Sequence, residues 1–172
     1  MHWAWCVGFV LVCAACTPVS QDSFEDLLER QQQLRYGVHY LVTFDGQESE
    51  MVHYVDMRSG SIRQDTAAGG VITRTITDGD EGVSCVYSAG WTCVPAVSGA
   101  LELVYQESGE VAVAPSRTVA GVNTQCFVSD DSERCFSHDG VPLFIHLFDS
   151  ETVFTAQNFT LTIPRDAFVP PQ

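Results

Sequence analysis

The chain has 172 residues, is 45% hydrophobic and carries a formal net charge of -14, with no Lys among its eight basic residues. That size and apolar content suit one domain with a real core and exclude a disordered chain. The charge argues against nucleic acid as a partner, because phosphate binding needs a basic stripe, and it provides no attraction to an anionic membrane surface.

Residues 1–20 hold no Asp, Glu, Lys or Arg, and Trp3 to Ala15 are apolar or small throughout. The run is shorter than the roughly 18 apolar residues of a membrane span and has the length of a signal-peptide core. Ala14-Ala15-Cys16 followed by the polar Thr17-Pro18-Val19-Ser20-Gln21 resembles a bacterial-type lipobox. In that reading Cys16 is lipidated and becomes the mature N-terminus. His2 stands where Lys or Arg is usual, and Cys13 where Leu is typical. Cleavage by an ordinary signal peptidase after Ala15 is the runner-up, and a retained N-terminal anchor is the third reading. Cys13 and Cys16 have the spacing of a redox dithiol or half a zinc site, but neither the βαβ context nor a second ligand pair accompanies them.

A helix is predicted over Phe24–Tyr36. Ser23 and Asp26 form a variant capping box. Phe24, Leu27, Leu28 and Leu34 make one stripe that Gln31 interrupts, and Gly37 is the expected stop. Beyond it the chain reads as short strands punctuated by turn signals, an antiparallel meander. Val38, Tyr40, Val42 and Phe44 alternate onto one face before Asp45-Gly46. Met51–Met57, Ser61–Gln64 and Val71–Thr77 follow, the last after Gly69-Gly70. A short second helix is expected at Val97, Ala100, Leu101, Val104 and Tyr105, capped by Ser98. Strands resume through Arg117–Gly121 and continue to about Ile163, with a hairpin at His138-Asp139-Gly140-Val141.

Cys85, Cys93, Cys126 and Cys135 remain in the mature body, an even number in an exported protein. Setting Cys85 opposite Cys93 pairs Tyr87 with Trp91 and leaves Ser88-Ala89-Gly90 as the loop, with Gly90 as its left-handed residue. Setting Cys126 opposite Cys135 leaves Ser129–Ser132 as a four-residue turn. Both registers bring sulfurs within bridging reach. Zinc is the alternative, although neither pair has the short C-x₂₋₄-C spacing.

No catalytic motif emerges. Gly82-Val83-Ser84-Cys85-Val86 lacks the second Gly of G-x-S-x-G. His39, His53, His138 and His146 are dispersed, not arranged as H-E-x-x-H. No phosphate-cradling Gly loop precedes a helix, and no cofactor or metal site is expected. Asn158-Phe159-Thr160 matches an N-glycosylation sequon, which a lipobox sets aside.

The order of parts, with Arg117–Val122, Cys126, Cys135 and Asp139–Leu143, is similar to the C-terminal half of LolA/LolB-like and LppX/LprG-like envelope lipoproteins. The resemblance implies an α+β fold: a strongly curved antiparallel half-barrel of about nine to eleven strands around the N-terminal helix and the short second helix. Residues 1–15 are then a lipoprotein signal peptide, 16–22 a lipid-anchored tether and 23–172 a single LolA-like domain. It also implies a non-enzymatic, membrane-anchored protein on the extracytoplasmic side. Such a protein carries an acyl chain, lipid or lipopeptide in the apolar hollow, with Phe24, Leu27 and Leu28 facing Val38, Tyr40, Val42 and Phe44. The alternative is an envelope protein-interaction or assembly module whose core is filled.

Overall fold

The computed structural model describes residues 22–79, 81–97 and 110–171. The lipobox and Cys16 lie outside the described residues. So does the expected second helix at Ser98, Ala100, Leu101, Val104 and Tyr105, while Val97 ends a strand. Helix α1 is Phe24–Gln31. The strands are β1 Arg35–Phe44, β2 Gln47–Asp56, β3 Ser61–Ala68, β4 Val71–Asp78, β5 Glu81–Tyr87, β6 Trp91–Val97, β7 Ala112–Val119, β8 Val122–Val128, β9 Ser132–Phe136, β10 Pro142–Leu147 and β11 Thr152–Thr160. They form one open antiparallel sheet, a curved half-barrel, in the order β6-β5-β4-β3-β2-β1-β11-β10-β9-β8-β7. Two local meanders are thus joined by a single long-range pairing, β1 with β11.

The capping box forms as expected: the Asp26 N–H donates to Ser23 Oγ at 3.2 Å, and the Ser23 N–H donates to Asp26 Oδ2 at 3.0 Å. The helix nevertheless ends at Gln31, not Tyr36. Gln33 and Leu34 tighten into short turns on the Arg30 and Gln31 carbonyls, and Tyr36 is drawn into β1 opposite Val55. Tyr36 is fully buried there, and its hydroxyl accepts from Gln31 Nε2 at 3.2 Å. Gln31 is therefore a buried part of the helix face, not a break in it. Gly37 is no helix stop either; it lies within β1, where a Cβ would come 2.7 Å from the Tyr54 ring.

Hairpin registers follow the turn residues. Gly69 and Gly70 both have positive φ, which matches the twist of a two-residue hairpin, and Ala68 pairs with Val71. Ala120-Gly121, expected within a strand, is instead the turn between β7 and β8. Gly90 does not adopt the left-handed conformation expected of it; the Tyr87 and Trp91 rings, 5.3 Å apart across the hairpin, hold the strands together beside the bend.

Both predicted cystines are present. Cys85 pairs with Cys93 and Cys126 with Cys135, each on directly opposed residues with Cα atoms 4.0 Å apart. Each closes a short loop, so reducing either should lower stability by about 2–3 kcal/mol. Non-reducing peptide mapping of the native protein should recover these two linkages. A Cys85–Cys126 peptide, or four free thiols, would overturn the registers.

Candidate interaction surface

Among the described residues, the two surfaces expected to enclose a ligand pack in different clusters. Phe24 and Leu27 pack with Phe127 and Phe136 of β8 and β9, the Phe24 ring lying 5.2 Å and 5.9 Å from theirs, edge-on. Leu28 is half-buried against the same cluster. Gly140 admits the helix closely: a Cβ there would lie 2.8 Å from the Leu27 carbonyl oxygen. Val38 and Tyr40 belong to a separate cluster with Tyr36, Val55, Leu143 and Phe154, and the Tyr40 hydroxyl donates to the Pro142 carbonyl at 2.6 Å. Val42 is only partly buried, and Phe44, beside its turn, is 56% exposed. The predicted lining thus divides between two packed clusters and one exposed residue.

The candidate chemistry gathers no further. His53 is buried on β2, between Val38 of β1 and Gln64 of β3. Its Nε2 finds no partner among the described residues, and burial lowers its pKa to about 4. His39, His138 and His146 lie on β1, in the β9–β10 turn and on β10. Cys126, Glu133 and Cys135 bring ligand atoms within 4.8 Å of one another, but both sulfurs are spent in the cystine, which leaves no thiolate to bind a metal.

What the structure does assemble is a band across β2–β6. Asp65 on β3 receives Nε and Nη2 of Arg74 at 2.8 Å each, and Nε and Nη2 of Arg63 at 2.9 Å and 2.5 Å. Burial raises the Asp65 pKa, but these two guanidinium groups outweigh it and hold the carboxyl below the ordinary carboxylate range. Arg63 lies over the Tyr54 ring at 5.2 Å, and Arg74 over the Trp91 ring at 4.9 Å. The registers place Ile72 opposite Tyr87 and Tyr87 opposite Trp91, on the same face as Arg74. Sequence reasoning missed this band, although Gly69-Gly70 already sets Asp65 opposite Arg74.

The C-terminal segment covers part of that face. Ile163 approaches Gly37, and Arg63 Nη1 donates to the Ala167 carbonyl at 3.1 Å. Its described contacts reach no farther than β3. On β4–β6, Ile72 and Tyr87 are 38% and 41% exposed on this face, and Val86 and Val94 are 42% and 57% exposed on the other. Among the described residues this wing therefore exposes apolar side chains on both sides, although Ile76, Thr77 and Cys85 within it are buried. Patches of this kind mark interaction sites, where Trp, Tyr and Arg are enriched.

No protein-family model matches this sequence, and none of the curated proteins does. Solved structures match it in fold. A crystal structure of MucB is 14% identical with a TM-score of 0.58, aligned over 86% of this chain and 62% of that one. The chain is similar in fold to MucB. A complex structure of Pseudomonas aeruginosa MucA/MucB gives 14% identity and a TM-score of 0.55, over 85% of this chain and 60% of that one. An uncharacterized conserved protein from Thermus thermophilus gives 13% and 0.59, over 85% and 97%. This chain therefore spans about three-fifths of the MucB length. The half-barrel expected from the resemblance to LolA- and LppX-type lipoproteins is present, but likeness to MucB at this identity is one of fold and supports no family.

Proposed function

We propose that this chain is a non-enzymatic protein-interaction module of the extracytoplasmic cell envelope, tethered to the membrane through lipidated Cys16. The observation that carries the reading is the contrast between the two ends of the sheet. The helix is seated on Phe127 and Phe136, whereas β4–β6 present Ile72, Val86, Tyr87 and Val94 uncovered among the described residues. Two cystines fit an oxidising compartment. MucB, whose fold this chain shares, is found in a structure with MucA, which supports a polypeptide partner over a lipid cargo.

The test places a photo-crosslinking amino acid at Ile72 in the source cells, with Leu161 on the C-terminal segment as the control. A discrete adduct is expected at Ile72 and not at Leu161, and Tyr87→Glu should abolish it. Organic extracts of the body produced without its anchor should contain no acyl lipid. Absence of an Ile72 adduct would sink the module reading, and lipid bound in equal amount to protein would replace it with a carrier.

A further inference from the structure

The two edges of the sheet are guarded unequally. Strand β7 breaks register between Ala114 and Arg117, contains Pro115, and ties Arg117 to Glu133. Irregularity and charge are usual protections of an edge, and they set β7 apart; proline does not, since each edge strand carries one, Pro115 on β7 and Pro95 on β6. Strand β6 pairs with β5 without a break from Trp91 to Val97, and residues 82–97 hold no charged side chain. The Cys85–Cys93 bond fastens it to β5.

The backbone of β6 is also oriented for pairing. Cys85 and Cys93 are 4.0 Å apart at Cα, the closeness of a non-hydrogen-bonded pair. Alternation then directs the N–H and C=O groups of Thr92, Val94 and Ala96 to β5, and those of Trp91 and Cys93 outward. Pro95 falls in the outward set opposite Val83, so its missing N–H costs the β5 ladder nothing. Among the described residues the outer edge of β6 is unpaired, and it offers donors at Trp91 and Cys93 and acceptors at Trp91, Cys93 and Pro95.

We propose that β6 takes an extended, basic segment of a partner polypeptide as an added strand. This rests on the interaction-module reading and names what the module holds. Charge selects the occupant: at a net -14, two copies of this chain meeting edge to edge repel each other, while a segment bearing Arg or Lys is attracted. Alternate side chains of that segment meet Trp91 with Tyr87 on one face and Val94 with Val86 on the other, and the backbone bonds supply affinity.

The probe is the heptapeptide Arg-Thr-Val-Thr-Val-Thr-Arg, blocked at both ends, with amide exchange on the purified protein followed by NMR. In the free protein the Trp91 and Cys93 amides should exchange faster than those of Thr92 and Val94. Saturating peptide should slow Trp91 and Cys93 by about tenfold or more and leave β7 unchanged. Replacing Arg by Glu in the peptide should weaken binding by about tenfold at low salt, and N-methylated valines should abolish it. Slow exchange at both amides before peptide is added would show the edge already paired and overturn the proposal, as would protection that grows with protein concentration alone. Peptide that perturbs Ile72 and Tyr87 without slowing Trp91 and Cys93 would overturn the added strand while leaving the module reading standing. No binding at millimolar peptide would overturn the added strand too, with the Ile72 crosslink deciding the module separately.

Discussion

Phe24→Ala is expected to destabilise the domain by about 3–5 kcal/mol, the range for truncating a buried aromatic residue. Helix α1 has eight residues, too few to persist alone, so its stability comes from docking. Phe24 and Leu27 are its two buried large apolar residues, and Phe24 meets both Phe127 and Phe136. Removing the ring leaves a void on β8 and β9 that the stapled strands cannot close readily, because Cys126–Cys135 holds them. Urea denaturation of parent and variant measures the loss, and organic extraction of both tests for lipid. A large loss with no lipid in either protein fits the filled core. A still-stable variant that has shed a lipid carried by the parent would restore the carrier.

The second large effect is acid sensitivity from His53. Burial lowers its pKa from 6.5 to about 4, so the folded protein holds the imidazole neutral where the unfolded chain has begun to protonate it. The contribution is fully present above pH 6.5 and is lost as pH falls from 6.5 toward 4. The gap corresponds to about 3 kcal/mol at the acid end. His53→Leu removes the unpartnered Nε2 along with the titration, so the variant should equal or exceed the parent at pH 7. Between pH 7 and pH 4 it should lose about 3 kcal/mol less stability than the parent. Taking the difference between the two proteins removes the carboxylates common to both. Equal losses in the two would show that the buried neutral ring is not the cause.

Local chemistry was legible where residues near in sequence determine each other. Asp45-Gly46, Gly69-Gly70 and Asp139-Gly140 mark turns, and opposing the cysteines reproduces the registers of β5 with β6 and of β8 with β9. The capping box at Ser23 belongs to the same class. What stayed hidden depends on partners distant along the chain. The stripe of Phe24 and Leu27 implies burial but does not say against which strands. Alternation from Val38 to Phe44 says that one face is apolar but not where its cover ends. Gly37 reads as a helix stop until Tyr54 of β2 lies over it. The pairing of β1 with β11, with the irregularity that leaves Gln157 between the partners of His39 and Tyr40, has no sequence marker at all.

That pairing orders assembly in time. Strands β1 to β6 can zip by successive hairpins as soon as each is available, and β7 to β11 can do the same. The helix belongs by sequence to the first group but by contact to the second, since Phe24 and Leu27 rest on Phe127 and Phe136, a hundred or more positions later. A chain delivered N-terminus first therefore holds an apolar stripe and one open flank of β1 without shelter until the last strands arrive. The interval before β8, β9 and β11 arrive is when the nascent protein is most exposed to aggregation and most dependent on a chaperone.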